Sequence, residues 1–158
     1  MNSLEPSGVA HGKPLQRRRT INDPHDLDRF VTAQASTYDT ALAELRRGRK
    51  ASHWMWFIFP QVAGLGFSAT SQRYAIGSLD EARAYLDHPV LGPRLVRAVE
   101  AVNAVEGRSA HTIFGAPDDI KFQSSLTLFE QAASTPEVFA AALSHYYNGQ
   151  RDTRSLAL

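Results

Sequence analysis

Cysteine is absent from the sequence, and its absence excludes several kinds of site. Without a thiol the chain has no disulfide framework, no thiol nucleophile and no thiolate metal site. Long apolar segments are absent too: the longest wholly apolar run, Trp54 to Pro60, is far short of the roughly 20 residues that a bilayer span needs. The N-terminus has no apolar segment of the kind found in secretory signals. These absences predict a cytoplasmic protein that does not enter a membrane.

The motifs of the common nucleotide-dependent and metal-dependent enzymes are missing as well. The six histidines do not fall at the HExxH spacing or in another metal-binding pair. The chain has no GxGxxG, P-loop or GxSxG segment, so a Rossmann protein, a kinase or an α/β-hydrolase is not expected. We therefore predict neither a metal nor a cofactor.

Charge is unevenly distributed along the chain. The net charge is +1, and residues 1–22 contribute +3, because Lys13 and the run Arg17-Arg18-Arg19 face a single acid, Glu5. The slightly acidic remainder offers no broad electrostatic footprint for duplex nucleic acid. Residues 1–22 also lack periodic apolar positions, so they are predicted to form a disordered basic leader. The remaining residues, 23–158, are predicted to form one domain.

Helix signals, by contrast, run through the rest of the sequence. Asp23-Pro24 combines an N-cap residue with a proline suited to the first helical position, and Ser78 with Glu81 is a capping box. Apolar residues repeat at helical spacing in several segments, and glycines or prolines separate these segments. No strand pattern is persuasive. The sequence predicts a mainly α, compact single domain of about seven helices.

The most informative feature is the segment from His53 to Gln61, HWMWFIFPQ, which holds both tryptophans. Indole faces bind bases and cations by stacking, while a lysine and a histidine beside them offer partners for phosphate or for acid–base chemistry. The alternative is that the run anchors the core as a short buried helix or strand, and that the cations before it serve a helix C-terminus. The candidate residues are His53 as a catalytic group and, for ligand binding, Lys50, Trp54, Trp56 and Gln61.

A second candidate site lies on the helix predicted to begin near Asp118. Lys121, Ser124 and Ser125 share one helical face, and no acid occurs from Lys121 to Phe129. We take Lys121 as a candidate catalytic residue, since a desolvated lysine can act as nucleophile or base, and the two serines as ligand-binding residues. The alternative is a hydroxyl-bearing contact between helices. Asp118 and Asp119 can hold a metal ion, but before a helix they more often cap it.

Taken together, these residues resemble a known family. The segments SHWMWFIFPQ (Ser52 to Gln61), GLG (Gly64 to Gly66) and HPVLG (His88 to Gly92) are similar to an uncharacterised bacterial family of unknown function, number eighteen-ten. The resemblance covers about residues 25–156 and implies membership rather than an activity. Members are often labelled calpastatin, but inhibitors of that type are disordered and aromatic-poor, unlike this chain.

A shorter resemblance concerns the second candidate site. Lys121, Ser124-Ser125 and the segment Leu128 to Gln131 are similar to a lysine-bearing helix of the YbiA-like superfamily, whose members act on N-glycosidic or ADP-ribose-type compounds. The resemblance implies an N-glycosidase or a related hydrolase.

The two candidate sites lead to a functional prediction and its alternative. We expect a small enzyme or binder that acts on a nucleotide-derived ligand of the ADP-ribose type. The alternative is a non-catalytic protein-interaction module in which the aromatic run is only core. A ligand site requires an enclosed pocket bordered by Lys50, His53 and Lys121, whereas an interaction module requires an exposed apolar patch.

Overall fold

The computed structural model describes residues 23–156, so the predicted basic leader, residues 1–22, lies outside the described residues. The described part is built from helices and contains one isolated parallel bridge between Val62 and Ile76. Its ten helices are α1 (Asp28–Gln34), α2 (Tyr38–Arg46), α3 (Met55–Ile58), α4 (Ala69–Arg73), α5 (Leu79–Asp87), α6 (Leu91–Asn103), α7 (Ala110–Phe114), α8 (Asp118–Ala132), α9 (Glu137–Tyr147) and α10 (Thr153–Leu156).

The prediction of a mainly α single domain is confirmed, but the number of helices, about seven, is wrong. The structure adds α3, α4 and α10, which are only four or five residues long. Helices this short do not complete an apolar stripe, so periodicity does not reveal them. In α4, for example, no residue is buried, and the helix begins because the Ser68 hydroxyl accepts a hydrogen bond from the Ser71 amide.

Helix α1 begins later in the sequence than predicted. The helix begins at Asp28 rather than directly after Asp23-Pro24. The Asp23 carboxylate nevertheless accepts hydrogen bonds from the amides of Leu27 and Asp28, at 2.7 and 2.8 Å. Asp23 therefore satisfies the first free amides of the helix from a preceding turn.

The capping box that opens α5 is confirmed, with a variation in its second bond. The Ser78 hydroxyl accepts from the Glu81 amide, while the Glu81 carboxylate accepts from the amide of Gly77 rather than that of Ser78. Glu81 also forms an ion pair with Arg29 at 2.8 Å, which ties α5 to α1. The cap thus contributes to tertiary structure as well as to helix initiation.

Helix α8 is the centre of the domain and packs against α5, α7, α9 and α10. Almost its whole circumference is covered: Phe122 and every residue from Ser124 to Phe129 are buried. A helix enclosed in this way needs partners for each polar side chain that it carries. The hydroxyl-rich face of α8 is accordingly an interior contact surface.

The aromatic run forms α3 and its flanks, and its two indoles have different environments. Trp54 is fully buried, as expected of a run that anchors the core, whereas Trp56 is half-buried. In the described part of the chain, no helix is long and apolar enough to cross a membrane.

Candidate functional site

A buried carboxylate, Glu44 on α2, organises the segment before the aromatic run. Its oxygens accept hydrogen bonds from the Ala51 and Ser52 amides, the Ser52 hydroxyl and the Trp54 indole, at 2.6–3.0 Å. Burial alone would raise the pKa of Glu44, but the bonds from Ser52, Ala51 and Trp54 outweigh it and lower the pKa to about 2. Glu44 is therefore a charged anchor that fixes the chain from Ala51 to Trp54.

Lys50 lies over the ring of Trp54. Its ammonium group is 5.0 Å from the centre of the Trp54 ring, donates to the Ser52 carbonyl at 2.7 Å and pairs with Asp118 at 3.0 Å. Only 9% of its side chain is exposed. A lysine this enclosed and this fully paired holds the run in place against α8, and it offers little to a ligand in solvent.

Asp118 connects this interior pair to the surface. One carboxylate oxygen contacts Lys50 at 3.0 Å and the other contacts Lys121 at 3.5 Å. The Lys121 ammonium lies 5.0 Å from the centre of the Trp56 ring, within the range of a cation–π contact. Lys121 is the more exposed and the less closely paired of the two lysines, so it is the one placed to meet an anion.

A cavity of about 160 Å³ lies beside Trp56. Its aromatic walls are Trp56 and Tyr74, and Gln61 and the loop from Val62 to Gly66 also line it. The loop is held by two hydrogen bonds at 2.8 Å, from the Ile76 amide to the Gln61 carbonyl and from the Ala63 amide to the Ile76 carbonyl. An aromatic cavity with a few polar groups is typical of a small-molecule site.

Two glycines allow the loop to line the cavity closely. Gly64 has φ of +94°, a conformation that residues with side chains rarely adopt. At Gly66 a Cβ would lie 2.6 Å from the Ser71 hydroxyl oxygen, so a larger residue there would require Ser71 or the loop to shift. The positive φ of Gly64 and the close contact of Gly66 with Ser71 together define the path of the loop.

The comparisons with known proteins place the chain in a family. A family model described as protein of unknown function (DUF1810) matches residues 24–158. The chain belongs to this family. The chain is also similar to the crystal structure of a conserved hypothetical protein, Rv1873 from Mycobacterium tuberculosis, with 54% identity and a TM-score of 0.84; the match covers 85% of this chain and 96% of that one. A search of curated proteins found no match.

Membership of DUF1810 confirms the resemblance drawn from the aromatic run, but it does not supply an activity. The comparisons do not support the remote resemblance to the YbiA-like superfamily. The roles of the candidate residues therefore depend on their geometry in this DUF1810 member.

The structure brings some of the predicted site residues together and separates others. Trp56 and Gln61 line the cavity, and Lys121 contacts Trp56. Trp54 and Lys50 are enclosed in the interior and do not line the cavity. His53 is exposed but does not line the cavity either. The cavity beside Trp56 is therefore not bordered by Lys50, His53 or Lys121.

Ser124 and Ser125 are not brought to this surface either. Both are buried with 1% exposure, and the Ser124 hydroxyl donates to the Asp152 carboxylate at 3.0 Å and to the Ile120 carbonyl at 3.2 Å. The structure thus places both serines in the interior, and Ser124 contacts the segment before α10. The sequence suggested such an interior contact as the alternative but did not identify the partner, because Asp152 lies 28 residues further along the chain.

Asp118 and Asp119 are the first two residues of α8, and its N-cap position is occupied by Pro117. The Asp118 carboxylate forms ion pairs with Lys50 and Lys121. The side chain of Asp119 accepts a hydrogen bond from the adjacent Ile120 amide and lies 3.3 Å from His111. Among residues 23–156, no three histidine or acidic side chains are grouped to hold a metal ion.

Two residues important to the site were not identified from the sequence. Glu44 had a detectable signal, because it lies on the same stripe of α2 as Ala41 and Leu45, where a carboxylate has to be paired. Tyr74 had none: it reaches the cavity because its ring packs on Phe30 and Phe57, at 5.7 and 5.5 Å.

A second, wider groove of about 780 Å³ lies among α5, α6 and the end of α8. Its lining mixes both signs of charge, Arg83 and Arg97 with Asp87 and Glu100. None of the predicted site residues lines it, and the mixed charges favour no one class of ligand.

The C-terminal segment closes over the polar face of α8, and this contact leads to a stability prediction. The Asp152 carboxylate accepts from Ser124 and Ser155, and the Asp152 amide donates to Thr127. We expect Asp152→Ala to lower the free energy of unfolding by about 2–3 kcal/mol, because it leaves two hydroxyls buried with fewer partners. Urea denaturation followed by circular dichroism measures the loss.

The matched control for this prediction is Asp80→Ala. The Asp80 side chain is 82% exposed and, among residues 23–156, pairs only with Arg83, so its removal should change stability by less than about 0.5 kcal/mol. Equal effects of the two substitutions would show that the buried Asp152 contacts do not stabilise the domain.

Proposed function

We propose that the chain binds a nucleotide-derived compound at the Trp56 cavity, with the ring system of the ligand inside and its anionic part at Lys121. The observation that carries the proposal is the position of the Lys121 ammonium, 5.0 Å from the centre of the ring that walls the cavity. An aromatic wall and a cation in contact with it match the two halves of a nucleotide.

The size of the cavity supports this division of the ligand. Pockets that enclose a whole drug-sized molecule measure about 300–1,000 Å³. The cavity beside Trp56, at about 160 Å³, is smaller and has room for a single ring system. The sugar and phosphate groups of a larger compound would extend from the cavity, so a cation is needed outside it.

The charge of the site supports an anionic ligand. Lys121 has the longer of the two contacts to Asp118, 3.5 against 3.0 Å, and 27% of its side chain is exposed. An ammonium in an ion pair suits electrostatic binding, whereas nucleophilic attack requires the free amine. Binding is therefore the part of the predicted function that the geometry supports best, and hydrolysis of an N-glycosidic bond is the reaction to test beside it.

A protein-interaction module remains the second candidate function. One observation favours it: the Phe67 side chain is 90% exposed. An exposed aromatic side chain of this kind is a frequent anchor in protein interfaces. This function predicts a protein partner and no effect of small nucleotide-derived compounds.

A thermal-shift titration with ADP-ribose tests the proposal. We expect ligand-dependent stabilisation of about 2.7 kcal/mol when ADP-ribose is present at 100 times its Kd. In Lys121→Ala the affinity should fall about 10- to 100-fold, because hydrogen bonds to charged groups contribute about 1.5–3 kcal/mol. The melting temperature of the unliganded variant should stay close to that of the wild type, since partly exposed ion pairs contribute little.

Arg83→Ala is the matched control, because Arg83 forms an ion pair of the same i, i+3 type with Asp80 but does not line the Trp56 cavity. Its affinity for ADP-ribose should equal that of the wild type. Chromatography of the same mixtures detects hydrolysis. A wild-type protein that no ADP-ribose-type compound stabilises would overturn the proposal, and normal binding by Lys121→Ala would remove Lys121 from the site.

A further inference from the structure

Phe67 is the most exposed large hydrophobic side chain among residues 23–156, at 90%. Phe67 is not part of the core, and its position beside a helix cap does not explain why an apolar residue is found there. Phe67 immediately precedes the N-cap Ser68, a position from which an apolar side chain usually packs on the fourth residue of the helix. That residue here is Gln72, which is polar and exposed. No contact within the local structure therefore explains an aromatic residue at this position.

The position of Phe67 relative to the cavity is more informative. Residues on both sides of it line the cavity, Leu65 and Gly66 before it and Ser71 and Gln72 after it. The side-chain amide of Gln72 donates to the Phe67 carbonyl at 3.1 Å, and Gly66 packs directly against Ser71. The backbone of Phe67 is thus fixed at the rim of the cavity, while its phenyl ring projects into solvent.

The walls and the rim of the cavity have opposite mechanical properties. Tyr74 is held from behind by Phe30 and Phe57, so this wall is rigid. The phenyl ring of Phe67 has no such support from the described part of the chain and can change rotamer without backbone movement, on the timescale of exposed side chains. The cavity therefore has a fixed aromatic wall and one movable aromatic ring at its edge.

We propose that Phe67 folds over the ring system of the ligand and covers it on the solvent side. This inference rests on the proposed function and assigns a residue that sets the preference of the site for planar ring compounds. The driving force is the removal of apolar surface from water on both the phenyl ring and the ligand. A ligand without an aromatic ring gains no affinity from Phe67. The residue therefore affects binding of the ring system and not of the anionic part.

The test uses three probes that separate the two halves: adenosine, ribose 5-phosphate and ADP-ribose. Phe67→Ala should bind adenosine and ADP-ribose about tenfold more weakly, a loss within the range measured for stacking of a base on an aromatic side chain. Its affinity for ribose 5-phosphate should not change. Lys121→Ala should show the reverse pattern: its affinity for ribose 5-phosphate and ADP-ribose should fall, and its affinity for adenosine should not change. Isothermal titration calorimetry measures the affinity for ADP-ribose, and ligand-observed NMR measures the affinities for the two smaller probes.

Two further variants control for non-specific effects. Phe67→Trp keeps an aromatic ring and should retain wild-type affinity for adenosine. Val90→Ala removes another exposed apolar side chain that does not line the cavity, and it should leave all three affinities unchanged.

The outcomes separate this inference from the proposed function. If the wild type binds ADP-ribose and Phe67→Ala binds adenosine and ADP-ribose equally well, the role of Phe67 is overturned and the proposed function stands. If the wild type binds none of the three probes, both fail. If Phe67→Ala instead abolishes self-association or capture of a protein partner without changing any probe affinity, Phe67 belongs to a protein interface.

Discussion

Replacing Trp54 with alanine is expected to lower the free energy of unfolding by about 3–5 kcal/mol, the usual cost of removing a large aromatic side chain from a core. The Trp54 side chain is fully buried and its ring lies 6.1 Å from that of Phe59. Its indole N–H donates to Glu44 at 2.8 Å, so the substitution creates a cavity and also removes a partner from a buried carboxylate. Denaturation in urea, followed by far-ultraviolet circular dichroism, measures the change.

Two matched substitutions identify the cause of this loss. Trp54→Phe keeps much of the apolar volume but lacks the N–H group, so it should cost less than Trp54→Ala and report mainly the bond to Glu44. Trp56→Ala removes the same side chain from a half-buried position and should cost less stability while weakening ligand binding. A loss below about 1 kcal/mol for Trp54→Ala would contradict the assignment of Trp54 to the core.

The aromatic run shows how far the sequence could lead. Its composition predicted either a core anchor or the floor of a pocket, and the structure contains both: Trp54 lies in the core and Trp56 walls a cavity. Periodicity could not separate the two, because α3 is a single turn and its neighbours decide which side is covered. The identity of the important segment was predictable, but the assignment of each indole was not.

Helix α8 shows a different case, in which the helix was predicted but two alternatives for the surroundings of its serines stayed open. The helix itself was predicted from its start near Asp118, and Lys121, Ser124 and Ser125 do follow one another on it. The structure nevertheless covers Ser124 with the segment around Asp152, whose short helix α10 carries no apolar stripe of its own. Polar contacts between distant segments leave no periodic signal, so a candidate site that depends on them cannot be read from one sequence.

The ion-pair network limits the sequence-based prediction in a similar way. Lys50 and Lys121 were both proposed to meet a ligand, and both lie beside a tryptophan. Their difference comes from Asp118, which sits between them and accepts the closer contact from the more buried lysine. A cation's availability to a ligand depends on such competition, which only the three-dimensional arrangement reveals.

Acid is expected to destabilise the domain through Glu44. The pKa of this carboxyl group is lowered from 4.5 to about 2 in the folded state. A lowered folded-state pKa contributes stability that is complete above the unfolded value and is lost as the pH falls from about 4.5 through about 2. At about 1.4 kcal/mol per pKa unit, the contribution is roughly 3 kcal/mol.

The variant Glu44→Gln isolates this effect, because it keeps the shape of the side chain and removes the titrating group. Its free energy of unfolding should be lower than that of the wild type at neutral pH, since a neutral amide replaces a charged acceptor of four hydrogen bonds. Between about pH 4.5 and 2 the two stability curves should converge as the wild-type carboxylate takes up its proton. The control is Glu100→Gln, at an exposed glutamate, whose curve should run parallel to that of the wild type. Urea denaturation series at several pH values give all three curves, and a constant gap between wild type and Glu44→Gln would show that Glu44 does not couple protonation to folding.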